Sequence, residues 1–262
     1  MESIDHHAKP TVHLWLRRLL LAGVAMVIVT FAASLIRYPD MLSMYPRQAP
    51  LFLSLLGILM ALYTLVAVGR TRTRSRAEVI ALNHGAFWGG IVGLLWTVEI
   101  WAGNIAQPSA GWQDLLVHGL IYRGAILAVP VVTVVGAGIA AARARSWPAG
   151  MWVGIISGVL SGLMVFGCFL VFGLVLPSGR PDPQTLAQFG RTGLTDFAAY
   201  SAAENLAAMI NHLWIGPGLG VLCGLFGGAI GGGLAPRAGS AAAPDDASQA
   251  PDDRRVESRL AA

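Results

Sequence analysis

Two titratable residues, one inside a predicted membrane span and one at the edge of another, carry most of the chemistry that this sequence offers. Glu99, in the segment WTVEIWAGN, is the only carboxylate well inside a predicted span. It follows His84, at the inner end of the same helix, by 15 residues, or about 22 Å. His212 stands at the outer start of the last predicted span, beside Asn211. A charge at the centre of a membrane helix costs about 2.5–3.5 kcal/mol, so such groups usually serve a function.

The similar depth of these residues predicts a polar site near the outer interface. We expect Glu99, His212 and Asn211 to face an outward-accessible cavity, where the first two share a proton or bind a small cation. The alternative is a glutamate that simply reaches interfacial water between Trp96 and Trp101.

A helix-breaking tripeptide follows His212 in the sequence. Proline removes one helical hydrogen bond and glycine loosens the turn, so Gly216-Pro217-Gly218 predicts a break or kink in the last span. Transporters use discontinuous helices of this kind to expose backbone groups to their substrates.

Serine and histidine residues in the last two spans suggest a remote alternative, an intramembrane serine hydrolase. A nucleophile must lie within hydrogen-bond reach of its base. Ser157 and Ser161 are predicted in the inner half to middle of the fifth span, roughly 10–20 Å from the depth expected for His212. We therefore assign no catalytic residue, and we expect no resident metal, no cofactor and no nucleic-acid partner.

The composition requires that these residues be held by membrane helices. Of the 262 residues, 55% are hydrophobic and only 12% are charged, about half the roughly 25% of an ordinary soluble domain. The mean hydropathy is +0.62. This balance excludes a soluble globule and general disorder, and two cysteines exclude a disulfide scaffold. The sequence predicts an all-α polytopic membrane protein, because backbone groups in lipid must bond internally.

Six apolar stretches are long enough to cross a bilayer. They cover about 19–36, 51–68, 85–102, 124–142, 150–176 and 213–234. Residues 1–18 are then a cytoplasmic segment, 19–235 the membrane domain with a large outer loop at 177–211, and 236–262 a disordered cytoplasmic tail. An interfacial helix from about Thr195 is expected to lead into the sixth span.

Basic residues set the orientation. With both termini in the cytoplasm, thirteen of the 18 lysines and arginines fall on the inner side. We therefore predict an N-in, C-in protein of the cell (cytoplasmic) membrane. The densest basic run, at Arg70, Arg72, Arg74 and Arg76, is either a site for anionic lipid head groups or an inner-side anchor.

Glycines at intervals of four predict close helix packing. They form three sets, Gly85, Gly89 and Gly93, then Gly154, Gly158 and Gly162, and finally Gly220, Gly224 and Gly228. Spacing of four places each set on one helix face, where backbones can approach closely. Besides the lipid bilayer, the partners expected for such faces are another copy of the chain or a second membrane subunit.

Similar residues before the spans of each half are compatible with a 3+3 inverted repeat, an arrangement common in secondary transporters. From these features we expect a small transporter or channel-like permease, and not an enzyme. The alternative is a non-catalytic membrane helper or sensor subunit that packs through its glycine faces.

Overall fold

Long apolar helices make up nearly all of the computed structural model, which describes residues 11–39, 42, 49–70, 75–105, 111–175 and 183–234. The helices are α1 Thr11–Arg37, α2 Ala49–Leu65, α3 Arg76–Ile100, α4 Trp112–Ala144, α5 Trp147–Val175, α6 Pro183–Thr192 and α7 Phe197–Leu234. Turns of π-helix extend α2 through Val66–Arg70 and α3 through Trp101–Ile105, and a longer π segment, Leu115–Tyr122, lies inside α4. No strand occurs in these ranges.

Six of the helices that the structure describes are long and apolar enough to cross a membrane, which confirms the predicted all-α polytopic fold. An even number of crossings places the start of α1 and the end of α7 on the same side. The amino-terminal ten residues, residues 235–262, and residues 71–74 with two of the four arginines of the basic run lie outside the described residues.

The last membrane helix begins at Phe197, close to the start of the interfacial helix expected from about Thr195, and it continues without interruption into the sixth span predicted at 213–234. The segment predicted as an outer loop at 177–211 holds α6 and the first fifteen residues of α7. Asp196 is the N-cap of α7, because its side chain accepts a hydrogen bond from the backbone N–H of Ala199 at 3.0 Å. The helix of 38 residues is about 57 Å long, which exceeds the roughly 30 Å hydrocarbon core.

The most extensive helix contact joins α5 and α7, and glycines line it on both sides. A Cβ atom added to Gly154 would overlap the carbonyl oxygen of Gly220, and one added to Gly220 would overlap that of Gly154. One turn further along, Gly158 and Gly216 are related in the same way. The two backbones therefore touch, which only glycine permits at these positions.

The other predicted glycine faces also lie against neighbouring helices. On α7, a Cβ at Gly224 would lie 2.8 Å from the carbonyl oxygen of Met151. On α3, Gly85, Gly89 and Gly93 face α5, where side chains such as Ile156 fill the space above them. Sequence reasoning missed a further contact, in which Gly227 and Gly231 of α7 approach the backbone of α4.

The proline of α7 does not interrupt the helix, which continues through residues 216–218, so of the predicted break or kink the break is wrong. Pro217 has no N–H, and this leaves the carbonyl of Leu213, four residues earlier, without its helical donor. The hydroxyl of Tyr63 on α2 donates to that carbonyl at 2.9 Å. Gly162 makes room for it, since a Cβ there would lie 2.8 Å from the hydroxyl oxygen. One buried side chain thus replaces the missing bond.

The two halves of the chain pack differently. Helices α4, α5 and α7 contact one another extensively, whereas α1 and α2 contact each other and α3 in few places. Of an apolar stretch of 18 residues in each helix, 67% is buried in α5 and 17% is buried in α1. The 3+3 inverted repeat stays a prediction.

Candidate functional site

The structure brings Glu99 together with residues from two other helices. Its side chain is buried, with 9% of the residue exposed. The hydroxyl of Tyr122, on α4, hydrogen-bonds to the Glu99 carboxylate, and His212, on α7, lies close enough for its charge to act on that carboxylate. Three membrane helices thus contribute one titratable side chain each to a single cluster, which we call the Glu99 cluster.

The orientation of His212 follows from its own hydrogen bond. Its Nδ1 lies 2.9 Å from the carbonyl oxygen of Ala208, and a carbonyl can only accept, so Nδ1 carries the proton. The other ring nitrogen, Nε2, is left free of this bond. The rings of Trp96 and Phe169 lie against the imidazole, with centroids 5.6 and 5.5 Å away. The histidine is fixed by one hydrogen bond and two aromatic contacts.

Local helix irregularities position Tyr122. This residue ends the π segment of α4, and the π turn of α3 begins two residues after Glu99. The two irregular segments contact each other. Gly103 lies beneath the tyrosine ring, because a Cβ there would be 2.8 Å from Cε2 of Tyr122. Insertions of π-helix are frequent at functional sites.

Sequence reasoning missed Tyr122, because the residue lies just before the predicted start of its span and resembles an ordinary interfacial aromatic. No pattern in the sequence indicates the π segment that presents it. The glycine at position 103, in a segment otherwise suited to a helix end, is the one signal of a close approach there.

A hydroxyl and a thiol connect α3 to α5 beside the cluster. The hydroxyl of Thr97 donates to the carbonyl of Gly93 at 2.8 Å. Its remaining capacity is to accept, so the Cys168 thiol, with Sγ 3.2 Å away, donates to it. These bonds satisfy the hydrogen-bonding groups of both side chains, and Thr97 lies two residues before Glu99 in the sequence.

One residue predicted at this site, Asn211, lies apart from it. Asn211 is exposed, on a different face of α7 from His212. His212 is also deeper than predicted, since it is the sixteenth residue of α7 and its carbonyl lies beside Gly162, near the middle of α5. The 10–20 Å depth separation that we predicted between the serines and His212 is therefore wrong for Ser161, the neighbour of Gly162.

Neither serine hydrogen-bonds to the histidine. The Ser161 hydroxyl donates to the carbonyl of Gly158 at 3.1 Å, and the Ser157 hydroxyl has no hydrogen-bond partner. Both residues are fully buried. This geometry gives a serine nucleophile neither a base nor access to water.

Two cavities lie at the opposite end of the bundle, where α3 and α5 begin. One has a volume of about 340 Å³ and is lined by Glu78, Trp152 and other residues of α3 and α5. The second, of about 530 Å³, lies between Arg145 and Gly232, where α5 begins and α7 ends. Nearby, a guanidinium nitrogen of Arg143 donates to Nε2 of His84 at 3.2 Å.

The Glu99 cluster has the composition of a proton site. A phenol donor, a carboxylate and a neutral imidazole can pass or hold a proton. Among the described residues, no group of three or more His, Cys, Asp or Glu side chains has a geometry that could hold a metal ion.

Searches of protein-family models, curated proteins and solved structures found no match to this chain.

Proposed function

We propose that this multi-pass membrane protein is a small transporter or channel-like permease that binds and releases a proton at the Glu99 cluster. The single observation that carries this proposal is the burial of Glu99 in contact with Tyr122 and near His212. Each of the three side chains comes from a different membrane helix, so a change in protonation acts on the contacts of α3, α4 and α7 together.

The energetic cost of the cluster supports a function beyond folding. Placing ionisable side chains among membrane helices costs several kcal/mol, and apolar residues of similar size would pack there without that cost. The bonds of His212 leave Nε2 as the atom that gains or loses a proton. A proton needs only one donor and one acceptor, which this cluster provides.

The location and partners of the protein are part of the same proposal. The arginine distribution favours the cell membrane with both termini in the cytoplasm. The predicted cluster at Arg70 to Arg76 would face anionic lipid on that side. The weakly buried α1 and α2 favour a second candidate function, a helper or sensor subunit that offers these helices to another copy of the chain or to a partner subunit.

Spectroscopy of the purified protein tests proton binding at the cluster. A protonated imidazole quenches the fluorescence of a neighbouring indole, and Trp96 lies against His212. Because the chain contains eight tryptophans, the Trp96 signal is obtained by subtracting the fluorescence of the Trp96→Phe variant from that of the wild-type protein. We expect this signal to fall on acidification and the fall to be lost in His212→Gln. Infrared difference spectra should contain a band of a protonated carboxyl group that Glu99→Gln removes. A signal unchanged by either substitution would contradict the proposal.

Flux measurements separate a transporter from a helper. The protein is reconstituted in liposomes that contain a pH-sensitive dye, and a potassium gradient with valinomycin drives proton entry. We expect wild-type liposomes to acidify faster than empty ones and Glu99→Gln to remove the difference. Glu204→Gln is the matched control, because it removes an exposed carboxylate of α7. A titrating cluster with no flux would favour the helper.

A further inference from the structure

A second pair of titratable side chains lies on the same helix as Tyr122, toward the outer end. His118 and Asp114 are joined by a hydrogen bond of 2.7 Å between Nδ1 and Oδ1. Both lie at the surface of the bundle, with 39% and 58% of their side chains exposed. The pair stands at the start of the π segment that ends at Tyr122.

The spacing places these groups in a row. Asp114, His118 and Tyr122 follow one another at intervals of four residues, so each lies about one turn above the next on the same side of α4. Helical side chains lean toward the start of their helix, and this direction carries His118 toward Asp114 and Tyr122 toward the turn of His118. The hydroxyl of Tyr122 then reaches Glu99 on α3.

We propose that Asp114 and His118 form the outer proton entry to the Glu99 cluster, with Tyr122 as the connecting group. This inference rests on the proposed function and names the route by which its proton arrives. It involves proton transfer only, with no metal and no other ligand.

Each transfer along the row is balanced. A proton from outer water binds Asp114 and passes to Nδ1 of His118, while the proton on Nε2 leaves on the inner side of the ring. That proton is accepted by the Tyr122 oxygen, directly or through one water, while the tyrosine O–H proton passes to the Glu99 carboxylate. One proton enters at Asp114 and Glu99 gains one, and rotation of the hydroxyl and the ring restores the starting state.

The surroundings of the π segment contain few competing groups. It packs chiefly against α3 and the π turn that follows. On α3 and its π turn between residues 94 and 105, Glu99 is the only titratable residue. On α4 itself, Arg123 follows Tyr122 and is exposed. The row therefore leads to one buried acceptor.

Kinetics test the route separately from the cluster. In a stopped-flow pH jump, the infrared band of protonated Glu99 follows proton arrival at that carboxylate, and its final amplitude reports the equilibrium and the integrity of the fold. We expect His118→Ala to slow this phase by about tenfold or more, while the final amplitude stays at the wild-type level. Added imidazole should restore the rate. Tyr122→Phe should slow the same phase without rescue by imidazole.

His84→Ala is the matched control, because it removes a histidine bonded to Arg143 at the opposite end of the bundle. It should leave the rate unchanged. A wild-type rate in His118→Ala, or a slow rate that imidazole does not restore, would overturn the proton entry while leaving proton binding at Glu99 intact. Absence of the protonated Glu99 band from the wild-type protein at every pH tested would instead defeat the proposed function, and the route with it.

Discussion

The bond between Tyr63 and the carbonyl of Leu213 should stabilise the protein only because position 217 is a proline. Tyr63→Phe keeps the buried ring and removes the hydroxyl that donates at 2.9 Å. The Leu213 carbonyl then has neither its helical donor nor a replacement. An unsatisfied buried polar group costs about 1–3 kcal/mol, and membrane-protein double-mutant cycles average about 0.6 and reach about 1.7 kcal/mol. We expect a loss of about 1–2 kcal/mol.

Replacing the proline should make the hydroxyl dispensable. Pro217→Ala supplies an N–H four residues after Leu213, and the continuous helix already places it for the ordinary bond. In that background Tyr63→Phe should cost only a few tenths of a kcal/mol. The difference between the two backgrounds, about 1 kcal/mol, is the coupling energy of the cycle.

The four proteins of this cycle can be compared by equilibrium unfolding in mixed detergent micelles, with SDS as the denaturant and tryptophan fluorescence as the signal. Each unfolding free energy is taken at the same SDS mole fraction, so that no long extrapolation enters the comparison. If Tyr63→Phe costs the same in the wild-type protein and in the Pro217→Ala variant, the hydroxyl does not act through the carbonyl that the proline leaves free.

Three further substitutions or labels test the packing, the site and the topology. Gly224→Leu should destabilise the protein by roughly 1–3 kcal/mol or more in the same assay, because a Cβ there would lie 2.8 Å from a backbone oxygen, whereas Gly233→Leu, with nothing within 4 Å, should be tolerated. Gly103→Ala should displace the tyrosine ring above it and change the infrared carboxyl signal of the cluster with little loss of stability; an unchanged spectrum would separate that ring from the site. Single cysteines placed in residues 70–76 and 177–182 should be labelled from opposite sides of the membrane, and labelling of both from one side would refute the predicted orientation.

Composition and segment length were enough to identify a membrane protein of six long apolar helices. Nothing more is needed for that conclusion, because a bilayer accepts a polar backbone only when each segment satisfies its own hydrogen bonds. The same local reasoning identified the glycine faces and singled out Glu99. It also predicted a helix from about Thr195, but as an interfacial segment before a span at 213–234 and not as the first part of one helix of 38 residues.

Which residues meet depends on the packing of the helices and could not be read from local patterns. The glycines that recur every four residues from Gly154 and from Gly220 predict two flat helix faces. The partner of each face depends on how several helices fit together. Pro217 predicted a break, yet a tyrosine about 150 residues away in sequence supplies the missing donor and the helix continues. Tyr122 reaches Glu99 through a π segment that no local pattern indicates. Contacts of this kind are long-range properties of the packed bundle, and local sequence patterns contain no information about them.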